Sequence, residues 1–180
     1  MTPTAHPTPA PIARVELDRL VQGLHHNPHE VLGPHPHDGG VTVRVLKPLA
    51  ERVRAELPDG STVDFTHEYE GIWVATLPTA QVSDYRLLVA YADGVDHRQD
   101  DPYRFLPTLG EIDLHLIGEG RHEELWTVLG AHTRAYDGLA GKVTGTSFAV
   151  WAPSAQGVRL AGDFNYWDGR AHPMRAMGST

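Results

Sequence analysis

From Gly40 onward the chain alternates between apolar and polar positions with a period of two. Val41, Val43 and Val45 alternate with polar residues, and β-branched side chains favour the pleated surface of a strand. Five further segments of strand character follow at short intervals: 53–57, 62–67, 72–77, 85–91 and 95–99. Turn sequences such as Pro-Asp-Gly-Ser and Asp-Gly separate them. Short strands at this spacing predict an antiparallel β-sandwich.

Before these strands, apolar residues recur with a helical period. The positions i, i+3, i+4 and i+7 are filled by Leu17, Leu20, Val21 and Leu24. This pattern predicts an amphipathic helix that ends near Gly23. Asn27 and Pro28 are typical of an N-cap and a first helical position, so a single helical turn through Val31 is expected, stopped by the following Gly-Pro pair.

The remainder of the chain divides by composition and periodicity. Residues 1–11 are rich in proline, threonine and alanine and carry little to bury, so we expect a disordered tail. Short helical stretches are predicted around Ile112 and at 122–129, and strand character returns at 147–152 and 158–161 after a glycine-rich segment. The predicted segments are the tail (1–11), a first β-sandwich module (12–109), a connector (110–142) and the start of a second β-sandwich (143–180).

The expected fold class is mainly β. It is an immunoglobulin-like antiparallel β-sandwich with an N-terminal helix, a short helical connector and an incomplete second β-sandwich. Two or three strands cannot enclose a core of their own, so we expect these 180 residues to belong to a longer chain. For the same reason we expect residues beyond about 143 to be less protected from amide exchange than residues 41–99.

Composition narrows the class of protein and of partner. The chain is 41% hydrophobic and 21% charged, which is ordinary for a globular protein. A net charge of −8 disfavours contact with a phosphate backbone, so no nucleic acid partner is expected. The sequence lacks a secretory signal and any apolar run near the ~18 residues of a membrane span. We expect a cytoplasmic protein with no membrane partner, and the absence of cysteine fits a reducing compartment.

Five segments, in order, resemble glycogen (1,4-α-glucan) branching enzymes of the α-amylase superfamily. They are HHNPHEVLGPH at 25–35, DDPYRF at 100–105, LGAH at 129–132, TSFAVWAPSAQGVRL at 146–160 and GDFNYWDGRAHPM at 162–174. The last segment is the most specific. Its FNxW element and the preceding VWAP are similar to carbohydrate-binding module family 48, which debranching enzymes and glycogen-sensing kinase subunits share. The first segment favours branching enzymes with two N-terminal modules.

The resemblance implies a reaction that breaks an internal α-1,4 bond and rejoins the released segment through an α-1,6 bond. In the family, an aspartate nucleophile and a glutamate acid/base carry this out by retaining double displacement in a (β/α)₈ barrel. These residues belong to the barrel, so we expect no catalytic residue and no cofactor within residues 1–180. The expected partners are α-glucan, as glycogen or maltooligosaccharide, and the missing C-terminal catalytic barrel.

Trp167 is the candidate sugar-binding residue. Aromatic rings stack on the apolar face of a glucose unit, and Asn165 could hydrogen-bond its hydroxyls. The resemblance to glycogen-sensing modules supports this role for the tryptophan. The alternative is that the loop at 164–169 packs against another domain. The other tryptophans are predicted to be packing residues: Trp151 in a β core, Trp73 in the sandwich core or between domains, and Trp126 between the connector and a module.

Two further groups of polar residues point to metal binding or catalysis only weakly. His25 and His29 have the i, i+4 spacing that can bind zinc on a helix, but Pro28 interrupts such a helix, so no metal site is expected. The side chains of Asp100-Asp101 and of Glu123-Glu124 face apart, whereas retaining glycosidases hold two carboxylates about 5–5.5 Å apart across a cleft. These pairs are expected to serve a turn and a helix start.

The leading hypothesis is the non-catalytic N-terminal portion of a branching enzyme, which positions or binds α-glucan. The alternative is a stand-alone glycan-binding module without a catalytic barrel. A third class is an interaction or metal-sensing domain that uses the histidine-rich segment.

Overall fold

Two four-stranded sheets form the first module of the computed structural model, which describes residues 8–138 and 141–177. The strands are β1 (Gly33–His37), β2 (Gly40–Leu46), β3 (Arg52–Glu56), β4 (Thr62–Asp64), β5 (Thr66–Tyr69), β6 (Ile72–Leu77), β7 (Arg86–Ala90) and β8 (Asp96–Gln99). The first sheet has the order β1-β2-β6-β5 and the second β4-β3-β7-β8, with antiparallel pairing throughout. The predicted antiparallel β-sandwich is confirmed.

The two sheets enclose a core built from the alternating apolar positions. The first sheet contributes Val41, Val43, Val45, Trp73, Ala75 and Leu77, and the second contributes Val53, Ala55, Leu87 and Val89. Full burial of a valine or leucine side chain stabilises the fold by about 1.5–3 kcal/mol relative to exposure. Trp73 is buried as predicted, and its Nε1 donates a hydrogen bond to the carbonyl oxygen of Lys47 (3.3 Å).

Helix α1 (Arg14–Gln22) covers the outer side of the first sheet. A second cluster of buried residues joins them: Leu17, Leu20, Val31, Leu32, Leu46, Ile72 and Tyr103. The helix ends at Gly23, whose φ of 68° is the left-handed conformation that glycine adopts most easily. The predicted amphipathic helix and the helical turn after it (Pro28–Glu30) are both present.

Residues 8–11 run beside the first sheet without regular secondary structure. The buried Arg44 donates from Nε to Glu68 Oε2 (2.8 Å) and from Nη2 to the carbonyl oxygen of Ala10 (2.6 Å). The backbone N–H of Ala10 donates to Thr42 Oγ1 (2.8 Å). This end of the predicted tail is therefore hydrogen-bonded to β2, and residues 1–7 lie outside the described residues.

Strands β1, β4 and β5 differ from the sequence expectation. Gly33 and Pro34, which were expected only to stop the helical turn, lie within β1 together with Pro36. The sheet tolerates these prolines because β1 is an edge strand, where a missing N–H need not face a partner. The single strand predicted at 62–67 is divided at Phe65, where the chain passes from the second sheet to the first. Phe65 is buried, and its N–H donates to the carbonyl oxygen of Val53 (3.0 Å).

The remainder of the chain has helix α2 (Glu111–Gly118) and a hairpin of β9 (Gly130–Gly138) and β10 (Gly141–Ala149). Among the residues that the structure describes, no second sheet covers this hairpin, and the second β-sandwich stays a prediction. An isolated bridge between Arg159 and Pro173 replaces the strand predicted at 158–161. β9 lies within the predicted connector, and the module boundaries stay a prediction. No helix in the described part of the chain is long and apolar enough to cross a membrane.

Two of the predicted packing positions are wrong. The side chain of Trp151 follows β10 and is 52% exposed, because no opposing layer covers this end of the hairpin in the described part of the chain. Trp126 lies in the short turn Leu125–Thr127 and is 68% exposed. Both rings therefore leave large apolar surfaces in solvent.

Candidate functional site

The loop that carries Trp167 is tightly folded and has a strained backbone. It begins with the helical turn Asp163–Asn165. The next two residues, Tyr166 (φ 53°) and Trp167 (φ 61°), are both left-handed, a conformation that is costly for bulky residues and is concentrated at functional sites. The backbone N–H of Trp167 donates to the carbonyl oxygen of Gly162 (2.9 Å). The loop thus holds two consecutive aromatic residues in an unfavourable conformation.

The indole ring of Trp167 is fixed in position and open to solvent. Its Nε1 donates to Asp163 Oδ1 (2.8 Å), and the residue is 71% exposed. Phe164 and Tyr166, which precede Trp167 in the loop, are also exposed. An apolar ring that is held from one edge and largely open to solvent among the described residues is suited to receive the apolar face of a ligand.

The buried side chain of Asn165 stabilises the loop through hydrogen bonds. The residue is buried, and its Oδ1 accepts from the backbone N–H of Gly162 (2.9 Å). Its Nδ2 donates to the carbonyl oxygen of Leu160 (2.9 Å) and to His172 Nδ1 (3.0 Å). Both polar ends of the amide are therefore used within the loop, and a direct sugar contact by Asn165 stays a prediction.

His172 supports the loop as a neutral group. Burial lowers the pKa of its imidazole to about 4, and the charge of Lys47 acts in the same direction. A neutral imidazole has one nitrogen free to accept a hydrogen bond, and here Nδ1 accepts from Asn165. The ring also meets Phe164 edge to face, with 5.4 Å between the ring centroids.

Asp168 and Arg170 are polar residues beside Trp167 that the sequence did not single out. The guanidinium of Arg170 donates from Nε to Asp168 Oδ1 (2.9 Å) and from Nη2 to Asp168 Oδ2 (2.6 Å). These bonds lower the pKa of the Asp168 carboxyl to about 2. The signal for them was their place in the DGR sequence directly after Trp167. They put a carboxylate and a guanidinium, the groups that can bond hydroxyls, within three residues of the exposed tryptophan along the chain.

The histidine-rich segment makes structural contacts. His25 Nε2 lies 2.8 Å from Glu16 Oε2 of α1, and His29 meets Tyr103 edge to face at 4.9 Å between ring centroids. His35 Nε2 is 3.2 Å from the carbonyl oxygen of Leu32. Among the described residues, no three histidine or carboxylate side chains are grouped so that they could hold a metal ion.

The adjacent carboxylates also have structural roles. Asp101 is buried, and its Oδ1 accepts from the backbone N–H of Tyr103 at the turn Pro102–Arg104. Its neighbour Asp100 accepts from Arg104 Nη2 (3.2 Å). The carboxylate of Asp101 faces the protein interior rather than a cleft that could hold a glycosidic bond.

The model of the alpha-1,4-glucan branching enzyme GlgB N-terminal domain matches residues 13–103, half of the chain. The chain belongs to this family. Residues 128–180 match carbohydrate-binding module 48, the isoamylase N-terminal domain. The GlgB-type first module is thus the β-sandwich of β1 to β8, and the module 48 match contains the β9–β10 hairpin and the Trp167 loop.

Curated relatives support this assignment. The chain is 57% identical over 164 residues to the 1,4-alpha-glucan branching enzyme GlgB of Thermobifida fusca, covering 91% of this chain and 22% of that protein. It is 54% identical over 165 residues to the enzyme of the same name from Rhodococcus jostii, covering 92% and 22%. The chain thus spans about a fifth of the length of these relatives.

Similarity to solved structures is weaker. One match is a pullulanase from Anoxybacillus sp. LM18-11 complexed with maltotetraose. It is 23% identical, covers 47% of this chain and 13% of that chain, and has a TM-score of 0.37. This match is too distant for a comparison of individual residues.

Proposed function

We propose that this chain is the non-catalytic N-terminal part of a cytoplasmic 1,4-α-glucan branching enzyme, and that its second module binds α-glucan through Trp167. The observation that carries the proposal is the ring of Trp167, which is 71% exposed while its Nε1 is held by Asp163. An aromatic ring stacks on the C–H face of glucose. Because the loop is already ordered, little conformational entropy is lost when a glucan chain binds.

The polar neighbours of Trp167 complete such a site. A glucose unit presents hydroxyls around its edge, and Asp168 and Arg170 supply acceptors and donors beside the ring. The family match to a carbohydrate-binding module covers the whole of this loop. The reaction itself, transfer of an α-1,4 segment to an α-1,6 position, is assigned to the catalytic barrel that we expect in the whole protein.

Two alternatives to this proposal differ from each other in the role of Trp167. If the loop is only a packing surface for the barrel, Trp167 contributes nothing to glucan affinity. A stand-alone glycan-binding module would have the same Trp167 site but no barrel in its reading frame. The share of the relatives' length that this chain covers, about a fifth, favours a module of a larger enzyme.

The experiment is a Trp167→Ala substitution in the 180-residue chain, with Trp126→Ala as the matched control. Both tryptophans are similarly exposed, at 71% and 68%. Isothermal titration with maltoheptaose is expected to show at least about a tenfold loss of affinity for Trp167→Ala, as for a central contact residue, and no change for Trp126→Ala. Unchanged affinity in Trp167→Ala would remove the binding role. The unmodified chain is expected to form no α-1,6 branches, and branch formation would overturn its non-catalytic assignment.

A further inference from the structure

The segments that precede and follow the Trp167 loop in the chain both lie against the first module. We call this contact the module seam, and four hydrogen bonds define it. They run from Arg159 Nη2 to Gln22 O (2.6 Å), from Arg159 Nε to Gly23 O (3.3 Å), from Tyr103 Oη to Pro173 O (3.1 Å) and from Ala176 N to His26 O (2.8 Å).

Arg159 forms the part of the module seam that lies at the C-terminal end of α1. The last carbonyl groups of a helix lack intrahelical partners and carry a partial negative charge, so a guanidinium is favoured there. Glycine at position 23 suits this contact, because its φ of 68° favours glycine and a Cβ there would lie 2.3 Å from Arg159 Nε and displace the guanidinium. The C-terminal end of α1 and the side chain of Arg159 thus fit closely against each other.

Arg159 also belongs to the base of the Trp167 loop. It bridges to Pro173 in the antiparallel sense, and the next residue, Leu160, accepts from Asn165 Nδ2 and donates its N–H to His172 O (3.0 Å). A Cβ at Gly169 would lie 3.0 Å from Arg159 Cβ. One side chain therefore connects the end of α1 with the segment on which the loop is folded.

Tyr103 forms the other end of the seam from inside the first module. Its ring belongs to the cluster beneath α1, and its buried hydroxyl donates to Pro173 O. The same loop and the first module share a cleft, in which Val21, Pro48 and Glu70 face Arg170. Contacts on both strands of the loop base restrict its rotation relative to the sandwich.

We propose that the first module serves as a rigid base that orients the Trp167 loop, with Arg159 and Tyr103 as positioning residues that contact no glucan. The role in orienting the loop stands on the seam contacts, and only its effect on glucan affinity rests on the proposed function above. A glucan chain bound at Trp167 is then held in a defined direction relative to the first module. The first module raises the affinity for glucan by ordering the loop in advance.

The test compares Arg159→Ala and Tyr103→Phe in the 180-residue chain, with Arg121→Ala as control. Arg121 is an exposed arginine of the connector that pairs with Glu119, away from the seam. Amide exchange of residues 157–177 is expected to accelerate by about tenfold in Arg159→Ala, the change that loss of a charged hydrogen bond produces. Exchange of β2 and β6 is expected to stay unchanged, which shows that the first module remains folded. Arg159→Lys keeps the positive charge but has one donor nitrogen in place of Nε and Nη2, and we expect an intermediate rate of amide exchange.

Affinity for maltoheptaose is the second readout. We expect it to fall by several-fold in Arg159→Ala and Tyr103→Phe and to be retained in Arg121→Ala. Unchanged exchange in both seam variants overturns the proposal outright. Faster exchange with full affinity, in a chain whose Trp167→Ala variant has lost binding, overturns the effect on affinity. If Trp167→Ala has no effect either, the proposed function fails, and faster exchange still supports the role of the seam in holding the loop.

Discussion

At the scale of single residues, the first module contains a buried hydrogen bond between the hydroxyl of Tyr85 and the carboxyl of Asp101. Tyr85 is fully buried, and its Oη donates to Asp101 Oδ2 at 2.5 Å. Burial raises the pKa of the Asp101 carboxyl, and the charge of the nearby Lys47 opposes that rise. Lys47 in turn donates to Gln99 Oε1 (2.9 Å). The carboxyl of Asp101 therefore depends on a small number of buried partners.

We expect Tyr85→Phe to lower the free energy of unfolding by about 1–3 kcal/mol, because Asp101 loses a donor where water cannot replace it. The matched control is Tyr91→Phe. The Tyr91 hydroxyl accepts from Gln99 Nε2 (3.2 Å) in a partly buried position, so its loss costs less. Urea unfolding followed by tryptophan fluorescence gives both values, with an unchanged m-value as the sign that two-state behaviour is kept. Equal stability of Tyr85→Phe and the unmodified chain would contradict this account of the buried pair.

Sequence reasoning at this scale succeeded where a residue's surroundings are local. Trp73 was expected in the sandwich core or between domains because it lies between Ile72 and Val74 on a predicted strand, and it is buried in the core. Trp151 was given the same role and is exposed, since alternation shows which residues share a face but not whether another layer covers that face. Asp101 was correctly placed in a turn, but its bond to Tyr85 joins positions 16 residues apart, which no local pattern reveals.

At the scale of elements, most strands of the first sandwich were predicted closely, and β6 has the bounds 72–77 that were expected. The errors lie where composition misled. Prolines hid the edge strand β1, and glycines in the segment 138–145 concealed the β9–β10 hairpin. The Trp167 loop was identified from its motif, whereas its left-handed residues and the inward role of Asn165 depend on contacts with Leu160 and His172.

The β9–β10 hairpin is expected to be the least protected regular element of the chain. A two-stranded sheet is marginal alone, and Val143 is its buried apolar residue. In hydrogen exchange of the 180-residue chain we expect protection factors of β9 and β10 at least about tenfold below those of β2 and β6. The amide of Ala176 provides an internal control, because its bond to His26 O in the module seam should make it slower to exchange than the hairpin. Equal protection of the hairpin and the sandwich would show that the hairpin is stabilised by more than its own ladder.

At the scale of the whole molecule, two buried imidazoles lie beside the module seam and the Trp167 loop. Burial lowers the pKa of His29 to about 4, with the charges of Arg175 and His35 acting in the same direction. The pKa of His172 is likewise about 4, owing to burial and then to the charge of Lys47. His29 packs on Tyr103, and His172 accepts from Asn165 beneath the Trp167 loop. Both histidines thus lie beside residues of the seam or of the loop, and both are neutral in the folded chain near pH 7.

This arrangement predicts that the chain loses stability as the pH falls from 6.5 toward 4. In the unfolded chain each histidine binds its proton near pH 6.5, whereas in the folded chain it does so near pH 4, so the unfolded state binds more protons in this window. The stability that the two neutral histidines contribute is complete above pH 6.5 and is lost as the pH approaches 4. His25, whose pKa is also lowered by burial, adds in the same direction, while the raised pKa of Asp101 acts in the opposite direction.

Because the protonation of these groups affects stability over overlapping ranges of pH, the decisive measurement is the difference between variants. Thermal unfolding from pH 7 to 4.5 is expected to show a shallower fall of Tm in His172→Gln and in His29→Gln than in the unmodified chain. The exposed His115 provides the control, since His115→Gln removes a histidine from the surface and should leave the slope unchanged. Asp168, with its pKa of about 2, loses its contribution only below its ordinary value of 3.8 and so lies outside the window. Identical slopes in all four chains would mean that neither buried imidazole is held neutral, and that acid does not act on the loop through His172.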